Sequence, residues 1–267
     1  IYRRWLDHTI EITRSSLDEG NRFIFMNAWN EWAEGTYLEP DKRYGYLLLN
    51  ETSRALCNIE PGRKLPKVSV VVPNFNHAQY LRRRLDSIFN QTYKNIEVIL
   101  MDDCSSDGSR DILDEYADLH QQITKRIYNQ ENSGSIFQQW SSGIRSASGE
   151  LVWIAESDDY CDENFLDKLV ACFEDESVLL AYSHNVFVDE NEVPLSEGGF
   201  DSYVGQIDSK KWNTSYVETA YNEVRKALGI INTIPNASGV LFRKPENLSL
   251  LDDEEWLRMS VAGDWVF

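Results

Sequence analysis

The chain has 267 residues, of which 42% are hydrophobic, and its 26 basic and 44 acidic side chains leave a net charge of −18. That length builds one large domain or one domain plus part of another, and the acidic excess argues against a nucleic-acid backbone or an anionic membrane surface as the main partner, since both need a basic footprint. Cys57, Cys104, Cys161 and Cys172 form no C-x-x-C pair, as expected of reduced thiols in a cytosolic protein, and no apolar run reaches the length of a membrane span.

Residues 1–20 set Trp5, Ile10, Ile12 and Leu17 among charges at helical spacing and stop at Gly20, which predicts an amphipathic helix. A strand follows with Phe23–Met26 as its apolar core, and then Asn27, Asn30, Glu31 and Glu34 interleave with Trp29 and Trp32. Indole faces stack on pyranose rings while amides and acids pair with hydroxyls, so the pattern suits a sugar site; it equally suits aromatic packing at a strand end. Tyr44–Leu56 reads as a helix and PGRKLP, residues 61–66, as a linker. With Ile at position 1 and no signal peptide, the chain reads as cut from a longer one.

From Lys67 the pattern changes to short apolar runs alternating with amphipathic segments. Strands are predicted at 67–73, 96–101, 123–129 and 151–155, and helices at 77–91, 109–120 and 136–147. The first of these helices places Tyr80, Leu81, Leu85, Ile88 and Phe89 on one face. This repeated order is the signature of a doubly wound parallel sheet. The run 151–155 ends at Glu156, Asp158 and Asp159, at a strand's carboxyl end, where open α/β sheets bind their ligands. Adjacent carboxylates repel, so a hard divalent cation shared with phosphate oxygens explains them; the competing reading is an acidic loop capping a helix from Asp162. The other strand-end loops hold Pro73-Asn-Phe-Asn76 and, in MDDCSSDGS, Asp102, Asp103 and Asp107. Neither carries the glycine pattern of a dinucleotide-binding or P-loop enzyme. A carboxylate such as Asp103 can accept from a base N–H or ribose hydroxyls, or serve as an Asx-turn or helix cap.

Two stretches resemble known families. NAWNEWAEGTYLEPDKRYGYLLL, residues 27–49, is similar to the C-terminal end of family 99-like (WbsX-like) glycoside-hydrolase domains, which are (β/α)8 barrels of polysaccharide-synthesis proteins; Asn30, Glu31 and Glu34 match their signature. The resemblance implies that residues 1–60 are the C-terminal fragment of such a barrel, without barrel catalysis of its own. Residues 67–185 resemble family 2 glycosyltransferases in PKVSVVVPNFNHAQYL, NQTYKNIEVILMDDCSSDGS and NQENSGSIFQQWSSGIRSASGELVWIAESDDY. This implies an α/β fold of GT-A type, a Rossmann-like, mostly parallel sheet with flanking helices, over residues 67–267 and cut short at its C-terminus. It also implies that Pro73 and Phe75 line a nucleotide pocket, that Asp103 contacts the base and Asp158 the ribose side, and that Asp159 ligates a divalent metal, Mn2+ or Mg2+, bridging the diphosphate. Many relatives have aspartate where Glu156 stands, which leaves the division of roles among Glu156, Asp158 and Asp159 open.

Beyond Tyr160 a helix is predicted over 164–176, a strand over 178–189 with His184 and Asp189 near its end, and a turn-rich loop over 190–199. His184 by itself suits a structural role better than a catalytic one. Residues 200–221, with Tyr203, Trp212 and Tyr216, read either as a flap over the acceptor or as a surface excursion. The stretch 231–244 resembles the family's substrate-side strand and loop, with Asn236 and Ser238 as donor contacts and Arg243 structural. In AGDWVF, Asp264 matches the family's late acidic position, where an inverting transfer needs a base for the acceptor hydroxyl; the competing reading is a helix N-cap. The run Asp252–Glu255 reads as a solvated helix start.

The expectation is an inverting, metal-dependent transferase that moves a sugar from a nucleotide-diphosphate donor, a UDP-sugar, to a hydroxyl of a glycan or lipid-linked glycan. It would serve bacterial cell-surface polysaccharide synthesis in the cytoplasm, or peripherally at the inner face of the membrane. The alternative from another class is a non-catalytic nucleotide-sugar or glycan-binding module of an assembly complex.

Overall fold

The computed structural model describes residues 2–16, 30–31, 36–37, 52, 65–189, 193–195, 204–208, 210–234 and 236–259. Its contacts divide the chain into two units, Ile1–Leu65 and Pro66–Phe267. In the first, helix α1 spans Tyr2–Ser16, and strands β1 (Asn30–Glu31) and β2 (Thr36–Tyr37) pair antiparallel with Asn30 opposite Tyr37. The buried side of α1 is marked by Leu6, while Trp5 and Ile12 are about half exposed. The apolar face is therefore rotated from the one expected through Trp5 and Ile12. The strand expected around Phe23–Met26, Glu34, and the helix expected over 44–56 apart from Thr52, lie outside the described residues.

The second unit is built on a six-stranded mixed sheet. Strands β3 (Val68–Val72), β4 (Ile96–Asp102), β5 (Thr124–Tyr128) and β6 (Leu151–Ile154) run parallel, and β7 (Leu180–Tyr182) and β8 (Val240–Arg243) complete the order β5-β4-β3-β6-β8-β7. Only β8 runs against its neighbours. Helices α2 (Ala78–Phe89), α3 (Ser109–Leu119) and α4 (Ile136–Ser146) connect the parallel strands, and α5 (Phe165–Cys172) leads towards β7. Every residue of β3, β4 and β6 is buried, which is why those segments read as unbroken apolar runs.

Alternation along the strands sorts these side chains into two layers. Val70, Val72, Val98, Leu100 and Trp153 meet Leu81, Leu85 and Ile88 of α2, Leu113 of α3 and Leu166 of α5. Val71, Ile99, Met101, Val152 and Ile154 meet Phe137, Trp140 and Ile144 of α4, closed by Trp256. Tyr80, expected on the packed face of α2, is 43% exposed; Arg84 is buried there instead. The strand expected over 178–189 is paired only at Leu180–Tyr182, because β8 offers it a partner from Val240 to Phe242. Beyond it, Val188 and Pro194 form an isolated bridge. No helix among the described residues is long and apolar enough to cross a membrane. Among them Cys104, Cys161 and Cys172 are free thiols.

Candidate functional site

The chain leaves β3 for β4 on one side and returns to β6 on the other, so the carboxyl ends of β3 and β6 diverge around a crevice, the usual ligand position in open α/β sheets. A cavity of about 380 Å3 opens there, and Pro73, Phe75, Asp103, Gln139, Glu156 and Asp158 are among its lining residues. A second cavity, of about 500 Å3, is lined by Asp158 and Asp159 together with Lys168, His184, Asn185 and Asn236. Asp158 thus borders both.

The walls of the first cavity are cross-braced loops. Asn74, 1% exposed, donates through Nδ2 to Asp102 Oδ1 at 3.1 Å and accepts the Asp103 N–H on its carbonyl at 2.9 Å. Asp102 is held by Arg110 at 2.8 Å. Asn76 and Cys104 have positive φ, 55° and 63°, in the loops after β3 and β4. Non-glycine residues are rare in that region and collect at ligand sites. Asn76 holds its turn by accepting the Ser106 N–H at 2.9 Å.

Asp103 is almost fully buried, and both its oxygens serve a distant loop. Oδ1 accepts from Asn129 Nδ2 at 2.6 Å and Ser133 N–H at 2.9 Å, and Oδ2 from the Ser133 hydroxyl at 2.8 Å. It therefore ties the segment entering α4 to the end of β4. The capping role falls to Asp107, which accepts from the N–H of Ala78 and from the N–H and hydroxyl of Ser109.

The acidic loop is held from both sides. The Glu156 N–H donates to Ser238 Oγ at 3.0 Å and its carbonyl accepts from Arg84 Nε at 2.7 Å. Ser157, 2% exposed, meets His77 Nδ1 at 2.8 Å. Asp159 accepts from Asn236 Nδ2 at 3.1 Å, whereas Asp158 is exposed at the mouth between the cavities. The loop does not cap α5: that helix begins at Phe165 with Asn164 before it and no side-chain cap. Among the described residues no three His, Cys, Asp or Glu side chains are arranged to hold a metal by themselves.

Of the residues expected at the site, Pro73, Phe75, Asp103 and Asp158 line the first cavity and Asp159 the second. Asp264 and Tyr203 lie outside the described residues. Ser238 lines the second cavity while its Oγ accepts the Glu156 N–H, and Arg243 donates to the carbonyls of Val178 and Phe173, a structural role. Trp212 donates to the Tyr182 hydroxyl at 3.0 Å and Tyr216 also bonds that hydroxyl, so this part of 200–221 is docked on β7. His77, Arg84 and Gln139 were not singled out from the sequence; their signal is polarity in the helices that flank the crevice.

Residues 69–239, more than half of the chain, match the sequence model of glycosyl transferase family 2, and residues 1–52 match that of Glycosyltransferase WbsX. Glycosyltransferase GlyG of Streptococcus pneumoniae is 36% identical over 137 residues, 51% of this chain and 43% of that protein. The putative teichuronic acid biosynthesis glycosyltransferase TuaG of Bacillus subtilis is 30% identical over 132 residues, 49% of this chain and 52% of that protein. The chain thus spans about half the length of these relatives. In fold it is similar to S. aureus TarS 1-349 in complex with UDP, at a TM-score of 0.55 and 21% identity over 75% of this chain and 53% of that one. With this sheet and these matches, the chain belongs to glycosyl transferase family 2.

Proposed function

We propose that the enzyme transfers a sugar, with inversion, from a nucleotide-diphosphate donor of the UDP-sugar class to a hydroxyl of a glycan or lipid-linked glycan in cell-surface polysaccharide synthesis. The observation that carries this reading is the position of Asp158 at the border of the two cavities, one walled by Pro73, Phe75 and Asp103 and the other by Asp159 and Asn236. A nucleotide in the first would bring its diphosphate to the acidic loop and its sugar to the second. The likeness to a fold solved with UDP and the polysaccharide-related name of TuaG support it.

In this reading Pro73 and Phe75 pack the base, Asp103 accepts from it on the lone pair that Oδ2 keeps beside the Ser133 hydroxyl, Asp158 meets the ribose side and Asp159 holds a divalent cation, Mn2+ or Mg2+. Two carboxylates and no complete protein cage suit a cation that takes its remaining ligands from phosphate and water. When bound, it would neutralise the leaving diphosphate. The acceptor oxygen attacks the anomeric carbon, the bond from that carbon to the diphosphate oxygen breaks, and Asp264 takes the hydroxyl proton. Residues 1–60 belong to the same proposal as the C-terminal part of a barrel domain, joined through 61–66 to the transferase domain, 67–267. The place of action is the cytoplasm or the inner face of the membrane.

Calorimetry of UDP binding with and without Mn2+, comparing wild type with Asp159→Asn, tests the site. Metal-dependent binding that is lost in the variant is expected. No binding by the wild type in either condition, or equal binding by the variant, overturns the assignment. Donor turnover unaffected by both Asp159→Asn and Asp264→Asn would overturn the enzymatic roles.

A further inference from the structure

Helix α2 and its ends carry a polar stripe within a face that is otherwise apolar. His77, Arg84 and Gln91 stand seven residues apart, close to two helical turns, and so fall along one line. All three hold the segment 156–166. His77 Nδ1 lies 2.8 Å from Ser157 Oγ, Arg84 Nε donates to the Glu156 carbonyl at 2.7 Å, and Gln91 donates to the Asp162 carbonyl at 2.7 Å while accepting the Leu166 N–H at 2.9 Å. Beside them the Arg83 guanidinium covers the Tyr160 ring at 3.6 Å. The acidic loop is therefore laid along α2 by contacts from one helix.

Arg84 stands apart in this row. It is 0% exposed, and its Nη1 and Nη2 have no hydrogen-bond partner. Its guanidinium lies 5.3 Å from the centre of the Trp153 ring, between α2 and β6. A buried cation with idle donors is costly, and an apolar side chain of the same volume would fit beside Leu81, Leu85 and Ile88 without that cost. Burial pushes the Arg84 guanidinium down, and the negative charges of Asp159, Glu156 and Asp158 act against that without outweighing it. A guanidinium also keeps its charge under burial where an ammonium would tend to lose it.

We propose that Arg84 is the positioning residue of the acidic loop: it holds the Glu156 carbonyl and sets a fixed positive charge beneath Glu156, Asp158 and Asp159, so that the loop is already formed when a cation-bound diphosphate arrives. This rests on the metal-dependent reading of the loop given above. The three carboxylates repel one another when no cation is present, and the charge beneath them offsets that repulsion without occupying the cation's place, since Arg84 does not reach either cavity wall.

The test is calorimetry of UDP binding to the full chain in Mn2+ and in EDTA, with thermal unfolding alongside, for wild type, Arg84→Met and Arg84→Lys. The gain in affinity produced by Mn2+ is expected to fall about 10–100-fold in Arg84→Met, the range seen when groups that support metal ligands are removed. Binding in EDTA should stay as in wild type, and Arg84→Lys, whose ammonium gives up its proton more readily when buried, should fall short of the wild-type gain. A residue that only supported the fold would lower the melting temperature and leave the Mn2+ gain intact, which overturns the proposal. If Arg84→Met shows no cooperative melting, Arg84→Gln is measured in its place with the same expectation and the same overturning result. A wild type with no Mn2+ gain overturns this inference together with the metal-dependent function, whereas a wild-type gain retained in the neutral variant overturns this inference alone.

Discussion

The carboxylate of Asp107 accepts the backbone N–H of Ala78 at 2.8 Å, so a residue in the loop after β4 caps the helix that follows β3. Its other oxygen accepts from the Ser109 N–H at 3.0 Å and the Ser109 hydroxyl, at the first turn of α3. One side chain thus satisfies orphan donors of both helices and fixes the two loops that wall the first cavity.

Asp107→Ala is expected to lower stability by about 1–2 kcal/mol, the cost of a lost N-cap. Burial opposes ionisation of Asp107, but the Ser109 hydroxyl and the N–H groups of Ala78 and Ser109 outweigh it and hold the carboxyl below its ordinary value. A depressed carboxyl contributes stability above its unfolded pKa and loses it as pH falls through the folded one. Denaturant titrations should therefore show the gap between wild type and variant closing as pH drops below 3.8, the unperturbed value. A gap independent of pH would mean that the carboxylate is not what caps.

Glu97 provides a stronger acid-sensitive tie at the opposite end of the sheet. It is 4% exposed and meets Lys67 and Lys125, each at 3.0 Å, and accepts from Ser69 Oγ at 2.6 Å and the Ser148 N–H at 2.6 Å. Burial raises its pKa, yet the hydrogen bonds from Ser69 and Ser148 and the two lysines bring it far below the usual carboxylate range. Its contribution is whole at neutral pH and fades as pH falls from 4.5, the ordinary value. Glu97→Gln should cost about 1.5–3 kcal/mol at pH 7, the worth of hydrogen bonds to a charged group. It should also flatten the acid limb of the stability curve; a variant with wild-type acid sensitivity would contradict this.

Close packing of α4 on the sheet depends on Gly143. A Cβ there would stand 2.3 Å from Val71 Cγ1 and 3.0 Å from Met101 Sδ. Alanine in a helix interior normally gains up to about 1 kcal/mol over glycine, but overpacking a filled core costs about 1–3 kcal/mol, and the stiff Val71 side chain in a fully buried strand has little room to yield. The net expectation for Gly143→Ala is a loss of stability, part of which Val71→Ala returns in the double variant. A stabilised single variant would show that α4 is free to move outwards.

Much of the sheet was legible because buried parallel strands announce themselves as unbroken apolar runs, as in VSVVV and IEVILM, and because helical spacing marked Leu81, Leu85 and Ile88. The direction of β8 was not legible: a parallel and an antiparallel strand buried on both faces carry the same residues, and the pairing of Val240–Phe242 with β6 is a long-range contact. In the site, polar residues at strand ends were found, but what each bonds was not. Asp103 and Asp107 sit in one DxS-rich loop, yet one bonds across to Asn129 and Ser133 and the other caps α2 and α3. Arg84 was hidden among the arginines of YLRRRLDS, where only the helix register tells a buried position from Arg82 and Arg83, which are exposed.

Phe75 is the clearest place to separate binding from folding. It is 42% exposed, follows the braced Asn74, and faces the first cavity beside the buried Pro73. An aromatic face left in solvent at a cavity mouth contributes little to stability, and its substitution by alanine should stay within about 0.5 kcal/mol. If a nucleobase packs against it, the same substitution should weaken UDP binding by about 1–3 kcal/mol, the range measured for base–aromatic stacking. Tyr80 is the matched control: it is 43% exposed on α2, and it is not among the residues lining either cavity. Calorimetry on Phe75→Ala and Tyr80→Ala should then show a loss of UDP affinity in the first and none in the second, with both melting as wild type. Equal affinities in the two variants would move the base away from Phe75.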